Sequence, residues 1–158
     1  DSFLITRCVR YDIKGRKYID TPQKYYFEDL GLRNARIGFR QVEETHLMEN
    51  LIYNELRIRG YLVDVGVVPT RVKDADGAYR RSQLEVDFVC NRGSERVYVQ
   101  SAYRLPTEEK RKQEMASLLK IDDSFRKIII TEDLIKRHMD ENGVEWVNVY
   151  DFLKSEEL

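Results

Sequence analysis

The chain has few cysteines and no long apolar run, and each of these shortages argues against a class of protein. The two cysteines among its 158 residues, Cys8 and Cys90, stand singly in strand-like segments. This argues against a disulfide framework or a zinc site and predicts buried free thiols in a reducing cytoplasm. No apolar run approaches the ~18 residues of a membrane helix, and no signal-peptide pattern is present. We therefore expect a cytoplasmic domain with no membrane partner.

A net charge and a phosphate-binding loop are also missing. Lysine plus arginine (27) nearly cancels aspartate plus glutamate (28), so nucleic acid would have to be bound by a local basic patch. No Gly-x-x-x-x-Gly-Lys-Ser/Thr segment occurs, so we expect no ATP hydrolysis within this chain. His46 and His138 have no partner at metal-ligand spacing. Because Asp1, without a preceding Met, leads directly into a strand-like run, we expect a fragment of a longer protein.

What the sequence does contain is a hairpin with two carboxylates in its first strand. Residues 83–89 and 96–102 are short apolar runs, separated by a turn-like segment that contains Asn and Gly. Side chains alternate along a strand, so Glu85 and Asp87 are predicted to share one face while Val86 and Phe88 share the other. An acidic pair in an apolar strand is costly unless a metal, a cation or water uses it.

The remaining pattern predicts a mixed α/β domain. Helical periodicity spans residues 42–59 and stops at Gly60, and Thr107 is the predicted N-cap of a second helix. Further strands are predicted at residues 3–12, 17–19, 24–27, 61–68, 127–131 and 144–149. Between them the sequence predicts a break at 21–22, a polar loop at 69–82, a helical patch at 132–139 and a turn at 150–153.

From the first long helix onward, the predicted order α-β-β-β-α-β-(α)-β resembles the core of the restriction-endonuclease-like, PD-(D/E)XK nuclease superfamily. The resemblance implies a mixed central sheet flanked by helices, to which an N-terminal β-hairpin is added. Glu49 matches the helix acid of that superfamily and Asp87 the strand acid, while Gln100 and Ala102 fall where Glu-x-Lys is expected. The implied cofactor is Mg²⁺, with Asp87, Glu85 and Glu49 as its candidate ligands.

Three phrases, at residues 24–32, 49–61 and 85–89, further resemble the domain of unknown function that follows the P-loop module in many bacterial and archaeal AAA-type ATPases. This resemblance covers essentially the whole chain. It implies an N-terminal β-hairpin extension at residues 1–40 and a PD-(D/E)XK-like domain at 41–158, together forming one compact C-terminal unit. It also implies that the partner is an upstream, ATP-binding P-loop module of the same polypeptide.

Two departures from the superfamily pattern decide what we expect of catalysis. Gln100 keeps an oxygen but loses the negative charge, and Ala102 removes the cation that an intact site uses beside its metal. Losing one preorganised electrostatic group typically costs roughly 10²–10³ in rate. We therefore expect a catalytically degenerate domain that binds DNA or RNA through Arg104, Lys110 and Lys112.

Two other functions stay open. A protein-interaction or regulatory domain of the ATPase would keep the fold without binding nucleic acid. An active metal-dependent nuclease would need a relocated cation, for which Arg104, Lys110 and Lys112 are the candidates. The acids also have a purely structural interpretation, as ordinary ion pairs with arginines on the helix and across the strands. The arginines available for such pairs are Arg57, Arg59, Arg96 and Arg104.

Overall fold

The computed structural model describes residues 4–40, 42–73 and 76–158, and within these ranges the chain forms one eight-stranded sheet with order β2-β1-β3-β4-β5-β6-β8-β7. The strands are β1 (Ile5–Asp12), β2 (Lys17–Phe27), β3 (Leu62–Lys73), β4 (Tyr79–Arg92), β5 (Glu95–Ala102), β6 (Arg126–Thr131), β7 (His138–Met139) and β8 (Val144–Asn148). The helices are α1 (Leu30–Arg36), α2 (Glu44–Ile58), α3 (Glu108–Leu119) and α4 (Val149–Lys154). In the same ranges no helix is both long and apolar enough to cross a membrane.

The strand directions confirm the predicted class, a mixed α/β fold with a mixed sheet. Strands β3, β4 and β5 form an antiparallel meander, whereas β5, β6 and β8 are parallel neighbours. Parallel neighbours need a crossover connection, and α3 supplies it between β5 and β6. The N-terminal hairpin β1–β2 joins the same sheet because β1 lies parallel to β3, with Arg10 opposite Val65 and Asp12 opposite Val67.

Two hydrophobic clusters cover the two faces of the sheet. On one face, α2 contributes Tyr53 to a cluster with Phe88 and residues of α4. On the other face, α3 contributes Leu118 to a cluster with Val86 and Tyr98. Both cysteines are buried and free, as predicted. The sheet is therefore the central layer of the fold, with α2 and α4 packed on one face and α3 on the other.

The helix boundaries follow the local sequence signals. Helix α2 lies inside the predicted range 42–59, and the chain leaves it through Gly60 at φ +83°, a left-handed conformation that glycine adopts without strain. Thr107 is the N-cap of α3, as predicted, and its Oγ1 accepts a hydrogen bond from the Lys110 amide at 3.2 Å. The acidic hairpin is present as β4 and β5.

Two predicted interruptions are wrong. Residues 69–82 are not a polar loop, because β3 continues to Lys73 and β4 begins at Tyr79, so that residues 69–73 and 79–83 form a two-stranded ribbon. The β3–β4 ribbon is mostly exposed and therefore lacks the alternation that identifies a half-buried strand. Strand β2 likewise runs through residues 21–22, since Pro22 is tolerated in an edge strand.

The predicted helical patch at 132–139 is also wrong, and two short helices were not predicted. The carbonyl groups of Glu132 and Asp133 accept hydrogen bonds from Asn148 Nδ2 at 3.3 and 2.8 Å, and these bonds tie the segment to the end of β8 in a non-helical conformation. Helix α1 begins after Asp29, whose side chain caps it, and α4 replaces the turn predicted at the end of the chain.

Candidate functional site

A β-bulge in β4 sets the position of the acidic residues. Asp64 pairs with Val89 but Gly66 pairs with Val86, so β4 uses one more residue than β3 over this stretch. As a result Val86 lies in the cluster under α3 and Phe88 in the cluster under α2. The predicted placement of both on one face is therefore wrong, because a bulge interrupts the period of two.

Asp87 lies in this bulge, at the point where β4 and β5 separate. The last paired residues of the two strands there are Phe88 and Val99. Beyond them the Asp87 carboxylate fills the gap, and its Oδ2 accepts a hydrogen bond from the Ser101 amide at 2.9 Å. The Asp87 amide donates to Gln100 Oε1 at 3.3 Å. Asp87 is only 8% exposed, so it is a buried carboxylate held by the backbone of the neighbouring strand.

The predicted acids meet around a cation that the sequence analysis did not identify. Lys24, from β2, places its Nζ 2.8 Å from Glu49 Oε1, 2.7 Å from Glu85 Oε1 and 3.5 Å from Asp87 Oδ1. Glu49 reaches this point from α2, and the two other acids reach it from β4. We call these four residues the Lys24 cluster. Nothing in the local sequence distinguishes Lys24 from other lysines, so only the strand arrangement identifies it.

Neighbouring polar groups hold the Lys24 cluster in place. Tyr26, two residues along β2, donates its hydroxyl to Glu49 Oε1 at 2.7 Å. Arg10 of β1 lies 2.6 Å from Glu85 Oε2. Asn50 joins β2 to α2, since it accepts from the Phe27 amide at 2.9 Å and donates to the Phe27 carbonyl at 2.8 Å. The hairpin β1–β2 and α2 are thereby fixed to each other on either side of the cluster.

The protonation equilibria of the cluster reflect burial and mutual charge. Burial and the nearby Glu49 carboxylate raise the pKa of Asp87, and Lys24 lowers it only in part. Burial by itself lowers the pKa of Lys24, but the charges of Asp87 and Glu49 and the hydrogen bonds to Glu49 and Glu85 outweigh it. The net pKa of Lys24 is therefore above its ordinary value, and the ammonium form is strongly favoured. A positive charge is thus fixed at the centre of the acids.

Gln100 connects the cluster to α3. Its Nε2 donates to Glu114 Oε2 at 3.4 Å, and Glu114 Oε1 lies 2.8 Å from Lys110 Nζ. The Gln100 side-chain amide therefore links the backbone N–H of Asp87 to the carboxylate of Glu114 without adding a charge. Ala102 is 3% exposed and belongs to the apolar cluster under α3. The position at which the superfamily pattern expects a lysine is part of the hydrophobic core.

The three cations predicted to bind nucleic acid do not gather at the cluster. Arg104 lies beyond the end of β5, and its Nε is 3.0 Å from Glu132 Oε2. Lys110 reaches the cluster only through Glu114. Lys112 is exposed on α3 and forms no ion pair with any residue in the described ranges.

The structural ion pairs considered for the acids have different partners. Arg59 pairs with Glu55 at 2.8 Å, and Arg96 Nε donates to Asn91 Oδ1 at 2.8 Å. The charges that balance the acids come instead from the hairpin β1–β2. Lys24 and Arg10 are distant in the sequence from Glu85 and Asp87, so local sequence spacing does not identify them as partners.

The residues at this site do not fit a Mg²⁺ ion. Mg²⁺ takes oxygen ligands at about 2.0–2.1 Å in octahedral geometry, whereas the point between Glu49, Glu85 and Asp87 is taken by the ammonium group of Lys24. The superfamily acid at position 100 is a neutral amide. Within residues 4–40, 42–73 and 76–158, no group of three or more His, Cys, Asp or Glu side chains is arranged to hold a metal.

Comparisons with known proteins find a relative without an assigned function, and no solved structure of similar fold. The chain is 33% identical over 153 residues to an uncharacterized protein of Haemophilus influenzae. The match covers 97% of this chain and 34% of that protein, so the chain spans about a third of the length of the curated relative it matches. No protein-family model matches the chain, and no solved structure matches it.

Proposed function

We propose that this chain is the C-terminal, nuclease-like domain of a larger AAA-type ATPase, and that it contacts nucleic acid without cutting it. The observation that carries the proposal is the position of Lys24, whose Nζ lies 2.7 to 3.5 Å from the carboxylates of Glu49, Glu85 and Asp87. These are the acids that would hold a metal if the chain cleaved by the chemistry of the superfamily. Because these acids are paired with Lys24 instead of a metal, we propose that the domain keeps the nuclease-like fold for contact with nucleic acid but does not cleave it.

The order of elements supports the nuclease-like part of the proposal. Elements α2, β3, β4, β5, α3 and β6 follow one another as α-β-β-β-α-β, with an antiparallel β3–β4–β5 meander and a parallel β5–β6 pair. Glu49 and Asp87 reach one point from α2 and from β4. The restriction-endonuclease-like resemblance implies this arrangement, with the hairpin β1–β2 added at the edge of the sheet.

The chemistry of the cluster supports the loss of cleavage. A metal-dependent nuclease needs a divalent cation to activate water and a second positive charge for the developing phosphorane. Among the residues that the structure describes, Lys24 is the one cation in contact with all three acids, and its ammonium group is already hydrogen-bonded to Glu49. A phosphate would have to displace three carboxylates to reach it. The apolar Ala102 and the neutral Gln100 supply no replacement.

The length of the relative supports a role within a larger protein. The chain corresponds to about a third of the Haemophilus influenzae protein, which leaves room there for other domains. We propose that these domains include an ATP-binding P-loop module, and that this module positions the present domain on nucleic acid.

The proposal is tested by incubating the purified chain with plasmid DNA, single-stranded DNA and RNA in the presence of Mg²⁺ or Mn²⁺. We expect no cleavage above that of an Asp87→Ala variant purified in parallel. A Glu109→Ala variant, which removes an exposed carboxylate from α3, controls for contaminating nucleases and for the change in net charge. Cleavage that is robust in the native chain and in Glu109→Ala but lost in Asp87→Ala would show an active nuclease.

A further inference from the structure

A concave surface, about 470 Å³ in volume, lies beside the β3–β4 ribbon, and the charged residues among its described lining are all basic. It is lined mainly by four basic residues and two hydroxyl-bearing residues, namely Lys14, Arg71, Arg81, Lys120, Thr70 and Ser82. The basic residues come from the β1–β2 turn, from β3, from β4 and from the end of α3. We call this surface the basic cleft. None of the described residues that line it is acidic.

The basic cleft places like charges together without internal compensation. Arg71 and Arg81 are directly opposite each other in the antiparallel β3–β4 pair, and like charges in this position are destabilising. Lys120 is the C-cap of α3, where the helix dipole favours a cation, but neither arginine nor Lys14 has such a local explanation. Within the described ranges, none of the four cations forms an ion pair. An anion from outside would relieve the repulsion.

The chemistry of the lining indicates a phosphate backbone rather than a base or a lipid. Thr70 and Ser82 are also opposite each other in the ribbon, next to the arginine pair. Arginine, lysine, serine and threonine side chains are the usual ligands of backbone phosphates. Apart from Pro69 the lining offers no apolar or aromatic surface on which a base could stack or a lipid chain could lie.

The shape of the ribbon favours duplex nucleic acid. Residues 69–73 and 79–83 form two strands that are mostly exposed, and a two-stranded ribbon has the width that the major groove of B-DNA admits. When the β3–β4 ribbon enters a major groove, the basic cleft, which lies where the ribbon joins the sheet, faces the phosphate backbone of one DNA strand. We infer that the basic cleft binds the phosphate backbone of double-stranded DNA, independently of base sequence.

This inference rests on the nucleic-acid part of the proposed function but not on the loss of cleavage. It assigns the contact with DNA to the basic cleft instead of to Arg104, Lys110 and Lys112, the residues that the sequence analysis predicted. Arg104 and Lys110 are each paired with a carboxylate, Glu132 and Glu114 respectively. Paired cations release fewer counterions on binding DNA than unpaired ones do, so they contribute less to affinity.

The test is a fluorescence-anisotropy titration of a labelled short DNA duplex at several salt concentrations. We expect a dissociation constant on the order of 10⁻⁴–10⁻⁶ M, as for non-specific contacts. Four phosphate contacts predict that log K falls with log salt at a slope of about −3.6. In an Arg71→Gln/Arg81→Gln variant the slope should fall to about −1.8, with a loss of affinity of about tenfold or more at low salt.

The matched control is an Arg104→Gln/Lys112→Gln variant, which removes the same net charge elsewhere. The inference requires that its slope and affinity stay close to those of the native chain, and that both variants unfold at a temperature near that of the native chain. No binding by the native chain at low salt, equal losses in the two variants, or equal competition by polyglutamate would each overturn it. None of these results bears on whether the acids around Lys24 cleave.

Discussion

Replacing Lys24 by methionine should convert the Lys24 cluster into a site that binds a divalent metal. Methionine keeps an unbranched side chain of similar length but has no charge, so the carboxylates of Glu49, Glu85 and Asp87 lose the cation they share. As they are arranged around Lys24, the three carboxylates do not form a metal site. Without the ammonium group they can close around a divalent ion and supply the oxygen ligands that Mn²⁺ and Mg²⁺ prefer. The variant therefore tests whether Lys24 takes the place of a metal.

The magnitude follows from burial. Asp87 is 8% exposed and the Glu49 side chain 15%, and breaking a buried ion pair by removing one partner typically costs about 3–5 kcal/mol. In a chain of this size each kcal/mol corresponds to about 2–4 °C in Tm, so Lys24→Met should lower Tm by roughly 6–20 °C at neutral pH. Saturation with Mn²⁺ at about 100 times Kd returns about 2.7 kcal/mol.

The assay is thermal unfolding of the native chain and of variants, with and without MnCl₂, supported by titration calorimetry. The matched control is Lys127→Met. It also removes a half-buried lysine, but the Nζ of Lys127 donates to the carbonyls of Ile121 and Asp123 at 2.9 and 3.3 Å rather than to carboxylates. Only the Lys24 variant should gain stability from Mn²⁺.

The pH dependence gives a second measurement if the Lys24 variant unfolds at neutral pH. Lys24 lowers the pKa of Asp87, which burial and Glu49 raise, so without Lys24 the Asp87 carboxyl should bind its proton still more tightly in the folded state than in the unfolded chain. Stability of the variant should therefore increase as the pH falls from neutral toward 5. A Lys24 variant that gains no more from Mn²⁺ than Lys127→Met, and that is not stabilised by acid, would refute the reasoning.

Two further predictions concern the bulge. Burial and Glu49 raise the pKa of Asp87 to about 7, so ionisation of Asp87 favours the unfolded chain. Relative to Asp87→Asn, the free energy of unfolding of the native chain should therefore fall by up to about 1.4 kcal/mol per pH unit between pH 5 and 7. Urea unfolding measures it, and a difference between the two chains that does not change with pH would contradict this. A Cβ at Gly66 would lie 2.9 Å from Val86 Cβ, so Gly66→Ala should cost about 1–3 kcal/mol by overpacking. Urea unfolding measures this cost, and a Gly66→Ala variant as stable as the native chain would contradict the prediction.

Much of the fold could be predicted because it rests on local patterns. Helix α2 was recognised from its apolar period and from Gly60, and α3 from Thr107 and the acids of its first turn. The acidic hairpin was recognised from two apolar runs and a turn. Local patterns do not predict two other segments. The exposed β3–β4 ribbon has no alternation to detect, and the segment after Thr131 is held by Asn148, which is distant in the sequence.

The sequence by itself determined the mixed α/β class, because residue type and period are local properties. It also offered a candidate site, with Glu85 and Asp87 from the strand period and Glu49 from the superfamily resemblance. Only the tertiary structure decided which cation those acids hold and which face each residue of β4 occupies. Lys24 and Asp87 are 63 positions apart, and they meet because β1 lies parallel to β3 while a bulge turns Asp87 toward the gap beside β5. Strand order and register depend on the packing of the whole sheet, which no segment of the chain specifies alone.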